Sequence, residues 1–301
     1  MKRWGIVTLV LVLLPVLLLV QGCNGASAPQ TAGNEQRMVV RLATDYRMDS
    51  IGYQQLLEFS KKLQDKSENK MVVQLYGRGE WSEAESFAEY VRLGSLEMAC
   101  LQAAEANRLQ PAYAVYEQPY LFSSLQAVEQ YIAGEPGRKA LDTLPTVYYG
   151  IGFVPDGYLY LLNNGQLQWE SYGDMKQLGQ TKALAGTAVY DLKAVYSIQP
   201  LVTSRKWWDT LPEQQQIWIQ ESFQEAVTAS FVQQADKNPA QSLLSAGVVF
   251  QDSTMPEWSM YSSMYLQQRE TYFAEHSDSL TVYWRPVVVQ PPLTGEEEPA
   301  Q

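Results

Sequence analysis

The sequence predicts an α/β protein of two lobes, with parallel or mixed sheets flanked by helices. Three observations predict it. Between residues 38 and 101, short apolar runs of strand type alternate with helically spaced repeats, the β-α-β-α-β order of a parallel sheet with crossover helices. The chain has 301 residues, which at roughly 100–200 residues per domain suggests two lobes. Hydrophobic residues make up 46% of it, enough for a large core.

The elements follow in order. Lys2 and Arg3 precede an uncharged apolar run at 4–20, short against the ~20 residues of a spanning helix, and the run ends in Gly22-Cys23, the form of a bacterial lipobox. Residues 1–22 are therefore expected to be a lipoprotein signal peptide and Cys23 the lipidated residue; an uncleaved signal anchor is the alternative. Residues 23–37 are polar and small and read as a flexible tether. A strand is expected at 38–43, a helix at 53–63 from the spacing of Leu56, Phe59, Ser60 and Leu63, and a strand at 69–76. Gly77-Arg78-Gly79 is a turn. A helix at 82–93 carries Glu83 and Glu85 near its positive end, and Gly94 stops it. A strand at 96–101 follows, then an aromatic loop at 112–122, helices at 124–132 and 136–144, and a strand at 148–154. Thr210-Leu211-Pro212-Glu213 fits a helix start with Thr210 as N-cap, running through Ile219, Phe223 and Phe231 until Asn238-Pro239 breaks it. A strand at 247–250 and an aromatic-rich helix at 258–273 come last. Residues 287–301, with prolines and Glu296-Glu297-Glu298, read as a disordered acidic tail.

Charge and motifs narrow the function. The formal net charge is −11; cleavage before Cys23 removes Lys2 and Arg3, leaving 20 basic residues against 33 acids, or −13. A body so acidic repels phosphate backbones, so no nucleic-acid partner is expected. His276 is the single histidine and sits in a polar string, which removes most triads and His-rich metal sites. Gly77-Arg78-Gly79 lacks the spacing of a phosphate loop. No catalytic set, metal or cofactor is expected, and a hydrolase ranks last among the readings. With Cys23 lipidated, Cys100 has no disulfide partner and reads as a small buried hydrophobe.

In parallel α/β sheets ligands sit outside the carboxyl ends of the strands. The candidate ligand-binding residues are therefore Tyr46, Arg78, Trp81, Gln102, Asp156 and Tyr158, the last two where the chain crosses between lobes. Each has a plainer reading as packing or turn. Trp207 and Trp208 read as structural packing.

Four segments carry a family resemblance: RLATDY at 41–46, QLYGRGEWSEAESFAEYVRLGSLEMACL at 74–101, YEQPYLFSSLQAVEQYIAGEPGRKAL at 116–141 and SRKWWDTLPEQQQIWIQESFQEA at 204–226. The chain resembles the solute-binding subunits of tripartite ATP-independent periplasmic (TRAP) transporters. The resemblance implies a periplasmic-binding-protein-like fold with crossing strands and a long connecting helix. It places lobe I at 38–153 and 203–249 and a reduced lobe II at 154–202 and 250–286. It also implies a monomer that closes on a small organic acid and hands it to two membrane permease subunits, at the outer face of the membrane or in the periplasm, held by its lipid anchor. One departure stands out: a first arginine of the family's pattern aligns with Leu159, and the strand bearing the second arginine, with which the family grips a ligand carboxylate, has no counterpart. Three explanations stay open. The ligand is less acidic, another cation such as Arg78 or Lys193 replaces the arginine, or the fold serves as a sensor or scaffold with no transported ligand.

Overall fold

The computed structural model describes residues 37–81, 86–236 and 239–276. The chain divides into two units, 1–36 and 37–301, and both sheets below belong to the second. The segment expected to be a signal peptide, Cys23, the expected tether before Arg37, Glu83, Glu85 and the expected acidic tail lie outside the described residues.

The first sheet is built by β1 (Met38–Thr44), β2 (Met71–Tyr76), β3 (Met98–Cys100), β4 (Tyr148–Tyr158) and β8 (Tyr196–Ser204), in the order β2-β1-β3-β8-β4. β1 pairs in parallel with both β2 and β3. The crossovers are α1 (Ile51–Lys66) and α2 (Phe87–Leu93), as the alternation of the sequence predicts. Ser50 caps α1, its side chain accepting from the Tyr53 N–H, and Gly94 ends α2 in the left-handed conformation that glycine adopts without penalty. Leu56, Phe59 and Leu63 of α1 pack fully buried against the sheet and against α8 (Glu213–Asp236), whose Phe223 meets Phe59 edge to face at 5.8 Å.

β4 and β8 run antiparallel and lead to and from a second sheet, of β5 (Tyr160–Asn163), β6 (Leu167–Glu170) and β7 (Ala188–Tyr190), in the order β6-β5-β7. Its faces follow the period-two rule. Tyr160, Leu162 and Val189 face α6 (Tyr172–Gln180) and α9 (Pro239–Ser245), through Met175 and Leu243. Leu161 and Tyr190 face Tyr261 and Tyr265 of α10 (Pro256–Glu275). From the far half of α10 the buried Arg269 donates to the Tyr120 carbonyl at 3.1 Å.

Several expectations need correction. The loop expected at 112–122 is partly a 3-10 helix, Pro111–Glu117, because Pro111 presets its first turn and the Gln110 side chain accepts from the Ala112 N–H. Thr210 caps nothing: it closes the short α7 (Arg205–Thr210), which Ser204 starts by accepting from the Trp207 N–H. The strand at 247–250 shrinks to one bridge, Phe250 to Val189, with Val249 pointing into solvent. The helix α3 (Ala103–Leu109) appears where none was expected, and α4 (Leu125–Ala133) and α5 (Glu135–Asp142) follow it near the expected 124–132 and 136–144. Tyr172–Gln180 is a full helix, started by the Ser171 side chain.

Candidate functional site

A cavity of about 250 Å³ lies at the carboxyl ends of β1, β2 and β3. Its wall takes Asp45, Tyr46 and Arg47 from the loop after β1, Arg78 from the turn after β2, and Gln102 from the start of α3. β4 and β8 add Asp156, Ser197 and Gln199, Leu159 follows β4, and α6 closes the far side with Ser171 and Asp174. Two other cavities, of about 190 and 350 Å³, open along α8 and contain none of the candidate residues.

Four of the six candidates, Tyr46, Arg78, Gln102 and Asp156, therefore meet at one cavity. Trp81 and Tyr158 stay outside its lining. Trp81 turns into an aromatic cluster, 4.8 Å from Tyr76 and 6.0 Å from Tyr90. Tyr158 packs edge-on to Tyr196 at 4.9 Å, with the Lys193 ammonium 5.4 Å over its ring. Lys193, considered as a substitute cation, pairs instead with Asp191 at 2.8 Å and is absent from the lining. Trp208 is packing, stacked on Tyr149 at 4.3 Å. Cys100 is fully buried, and burial pushes its thiol pKa up, which makes a nucleophilic role unworkable.

Asp156 owes its position to a β-bulge. Pro155 pairs with Ile198 and Gly157 with Ser197, so Asp156 has no cross-strand partner and its side chain is re-aimed. Gly157 makes the bulge possible at φ +92°, a region closed to most side chains. The Asp156 carboxylate accepts from the Gly52 N–H at 2.7 Å, at the start of α1. Burial raises its pKa to about 7; the Gly52 N–H and the Ser50 hydroxyl pull against burial, and the charge of Asp174 adds to it.

The Tyr46 ring backs this arrangement. It is buried, and its hydroxyl donates to the Val154 carbonyl at 3.3 Å. A methyl group on Gly52 would sit 2.5 Å from the ring edge. Gly52→Ala is thus expected to cost about 1–3 kcal/mol by overpacking, read as a lower denaturant midpoint; an unchanged midpoint would show the ring free to move aside.

The cavity is lined by three aspartates and two arginines. Arg78 donates from Nε to the Asp45 carbonyl and from Nη1 to Asp174 Oδ1, both at 2.8 Å. Arg47 Nε lies 3.4 Å from Asp49 Oδ1 and 4.0 Å from Asp174 Oδ1. Asp174 is in the first turn of α6, where the Ser171 hydroxyl donates to its Oδ2 at 2.8 Å. Arg47 and Asp174 were not among the sequence candidates. Arg47 lies two residues beyond Asp45, so the strand-end rule reaches it; nothing local marks Asp174, which enters from the second sheet's helix.

A family model described as bacterial extracellular solute-binding protein, family 7, matches residues 43–179. No curated protein matches the chain. Solved structures share the fold. A TRAP periplasmic solute-binding protein from Desulfovibrio desulfuricans, with bound sn-glycerol-3-phosphate, is 16% identical with a TM-score of 0.69, over 83% of this chain and 99% of that one. One from Ochrobactrum anthropi, its C-terminus bound in the ligand-binding pocket, is 16% identical with a TM-score of 0.66, over 84% and 96%. A sugar-acid-binding protein from Advenella mimigardefordensis, in complex with galactonate, is 15% identical with a TM-score of 0.64, over 83% and 99%. The comparisons thus find again the resemblance read from the sequence, and the fold is the two-sheet α/β fold it implies. The family and these relatives are solute-binding proteins, not enzymes.

Proposed function

We propose that this protein is the solute-binding lipoprotein of a TRAP-type secondary transporter. It captures a small organic acid or related metabolite outside the cytoplasm and delivers it to membrane permease subunits, tethered through Cys23 and acting as a monomer. The observation that carries the reading is the convergence of Tyr46, Arg78, Gln102 and Asp156, from four separate segments, on one cavity faced by α6. The match to the solute-binding family over residues 43–179 supports it. In this reading the two sheets are the cores of two lobes, and β4 and β8 are the strands that cross between them. A solute touching both sides binds the closed arrangement better than the open one, and so shifts the population toward closure.

The relatives' bound molecules supply a first panel: sn-glycerol-3-phosphate, galactonate and other small carboxylates. A thermal-shift titration of these, widened to sugars and amino-acid derivatives, is expected to give a saturable rise in Tm with at least one compound. The stabilisation follows RT ln(1 + [L]/Kd), about 2.7 kcal/mol at a hundredfold excess over Kd. A flat response from folded protein across a broad panel of acids, sugars and amino-acid derivatives would overturn the reading in favour of a sensor or scaffold.

A further inference from the structure

Of the cavity's two arginines, Arg78 is held by the protein's own groups, whereas Arg47 has carboxylates near it but no hydrogen bond at its Nε. Arg78 stands on the turn after β2 and Asp174 on α6, which packs on the second sheet, and the two side chains meet at 2.8 Å in the cavity's lining. The start of α6 and the cap of α1 come close here: a methyl group on Gly173 would lie 3.3 Å from Ser50 Cβ. Arg47 leans on the same Asp174 oxygen from 4.0 Å. Asp45, whose carboxylate lies 3.5 Å from Arg78 Nε, and the partly ionised Asp156 complete the acidic lining, which contains no lysine. A dicarboxylate entering this space would bring two negative charges to a wall of two guanidiniums, the Asp45 and Asp174 carboxylates and an Asp156 that burial leaves only partly ionised near neutral pH. It would also have to compete with Asp174 for Arg78. A like charge left facing a carboxylate in a partly shielded cavity is unfavourable, and specificity is built as much from such repulsions as from attractions.

We propose that Asp174 is a specificity-determining charge filter: by holding Arg78 in the cavity's lining it turns away dicarboxylates and selects small zwitterions, amino carboxylates with their ammonium group toward Asp45 and Asp156. The ligand's one carboxylate uses guanidinium N–H groups beyond those committed to Asp45 and Asp174; each guanidinium has five. The ammonium favours the ionised form of Asp156, which the two guanidiniums of the lining leave without a charge partner of its own. This inference rests on the solute-binding reading above and deepens it.

The test is isothermal titration of the wild-type protein and Asp174→Asn with three classes. These are aminocarboxylates of three to six carbons, dicarboxylates of matched length, and hydroxy monocarboxylates including galactonate. The wild type is expected to bind at least one aminocarboxylate at least about tenfold more tightly than the matched dicarboxylate. Asp174→Asn keeps the side chain's shape and removes its charge, and is expected to move that ratio about tenfold or more toward the dicarboxylate. A wild-type preference for the dicarboxylate, or an unchanged ratio in the folded variant, overturns the inference. Binding of hydroxy monocarboxylates without any aminocarboxylate also overturns it, and leaves the solute-binding reading standing. No saturable binding by any class overturns both.

Discussion

Replacing Asp156 by asparagine is expected to stabilise the protein at pH 8 far more than at pH 4.5. Burial lifts the Asp156 pKa from 3.8 to about 7 against the pull of the Gly52 N–H and the Ser50 hydroxyl. Between those two values the folded protein keeps a proton that the unfolded chain has released. The native state then binds more protons than the unfolded state, so the free energy of unfolding falls as pH rises through the window. Below about pH 4 both states are protonated and the cost vanishes. Above about pH 7 it is complete, and roughly three units at 1.36 kcal/mol each make it about 4 kcal/mol. Asparagine retains an oxygen to accept from Gly52 and never ionises. Denaturant unfolding of wild type and variant at pH 4.5, 6 and 8 checks this: the two stabilities should diverge as pH rises. Parallel curves would mean that the carboxylate is stabilised in its charged form at the bulge.

Phe153→Ala is expected to cost about 3–5 kcal/mol, the range for an aromatic side chain removed from a packed core. Phe153 is fully buried on β4, with ring centroids 5.2 Å from Tyr116, 6.2 Å from Tyr113 and 6.5 Å from Tyr131. The neighbours cannot readily close the gap. The Tyr113 hydroxyl donates to the Ala140 carbonyl at 2.9 Å, and the Tyr116 and Tyr131 hydroxyls bond to each other at 2.8 Å. Guanidinium unfolding should show a lower midpoint with an unchanged slope. A loss under about 1 kcal/mol would show that these rings repack around the space.

The first half of the fold is legible because its signals are local. Residues 71–76 alternate, and Met71 and Val73 are the buried side of β2; Leu56, Phe59 and Leu63 recur at helical spacing and are the buried side of α1. Gly94 stops its helix for a reason visible in one residue. The strand β8 is hidden by Pro200, which in a sequence argues against a central strand. It is tolerated here because β3 ends opposite Leu201, so the proline falls where the partner strand stops. The hairpin of β5 and β6 is hidden because β5 is apolar on both faces, with α6 and α9 covering one and α10 the other, and such a strand does not alternate.

At the site the division is similar. Tyr46, Arg78 and Gln102 follow strand ends, a position that the order of elements marks. Trp81 follows one as well, yet packs with Tyr76 and Tyr90. By itself the sequence determined the α/β order, the crossover helices, the strand ends from which a site could be built, and the family resemblance that the comparisons find. The tertiary structure alone decided which of those residues share a cavity and what electrostatic company they keep. It alone sets Asp156 in a bulge beneath the start of α1 and Asp174 against Arg78 from the other sheet's helix. The reason is physical: periodicity and capping act within a few residues, whereas these contacts join residues 96 and 104 positions apart, and the first of them links elements of the two sheets.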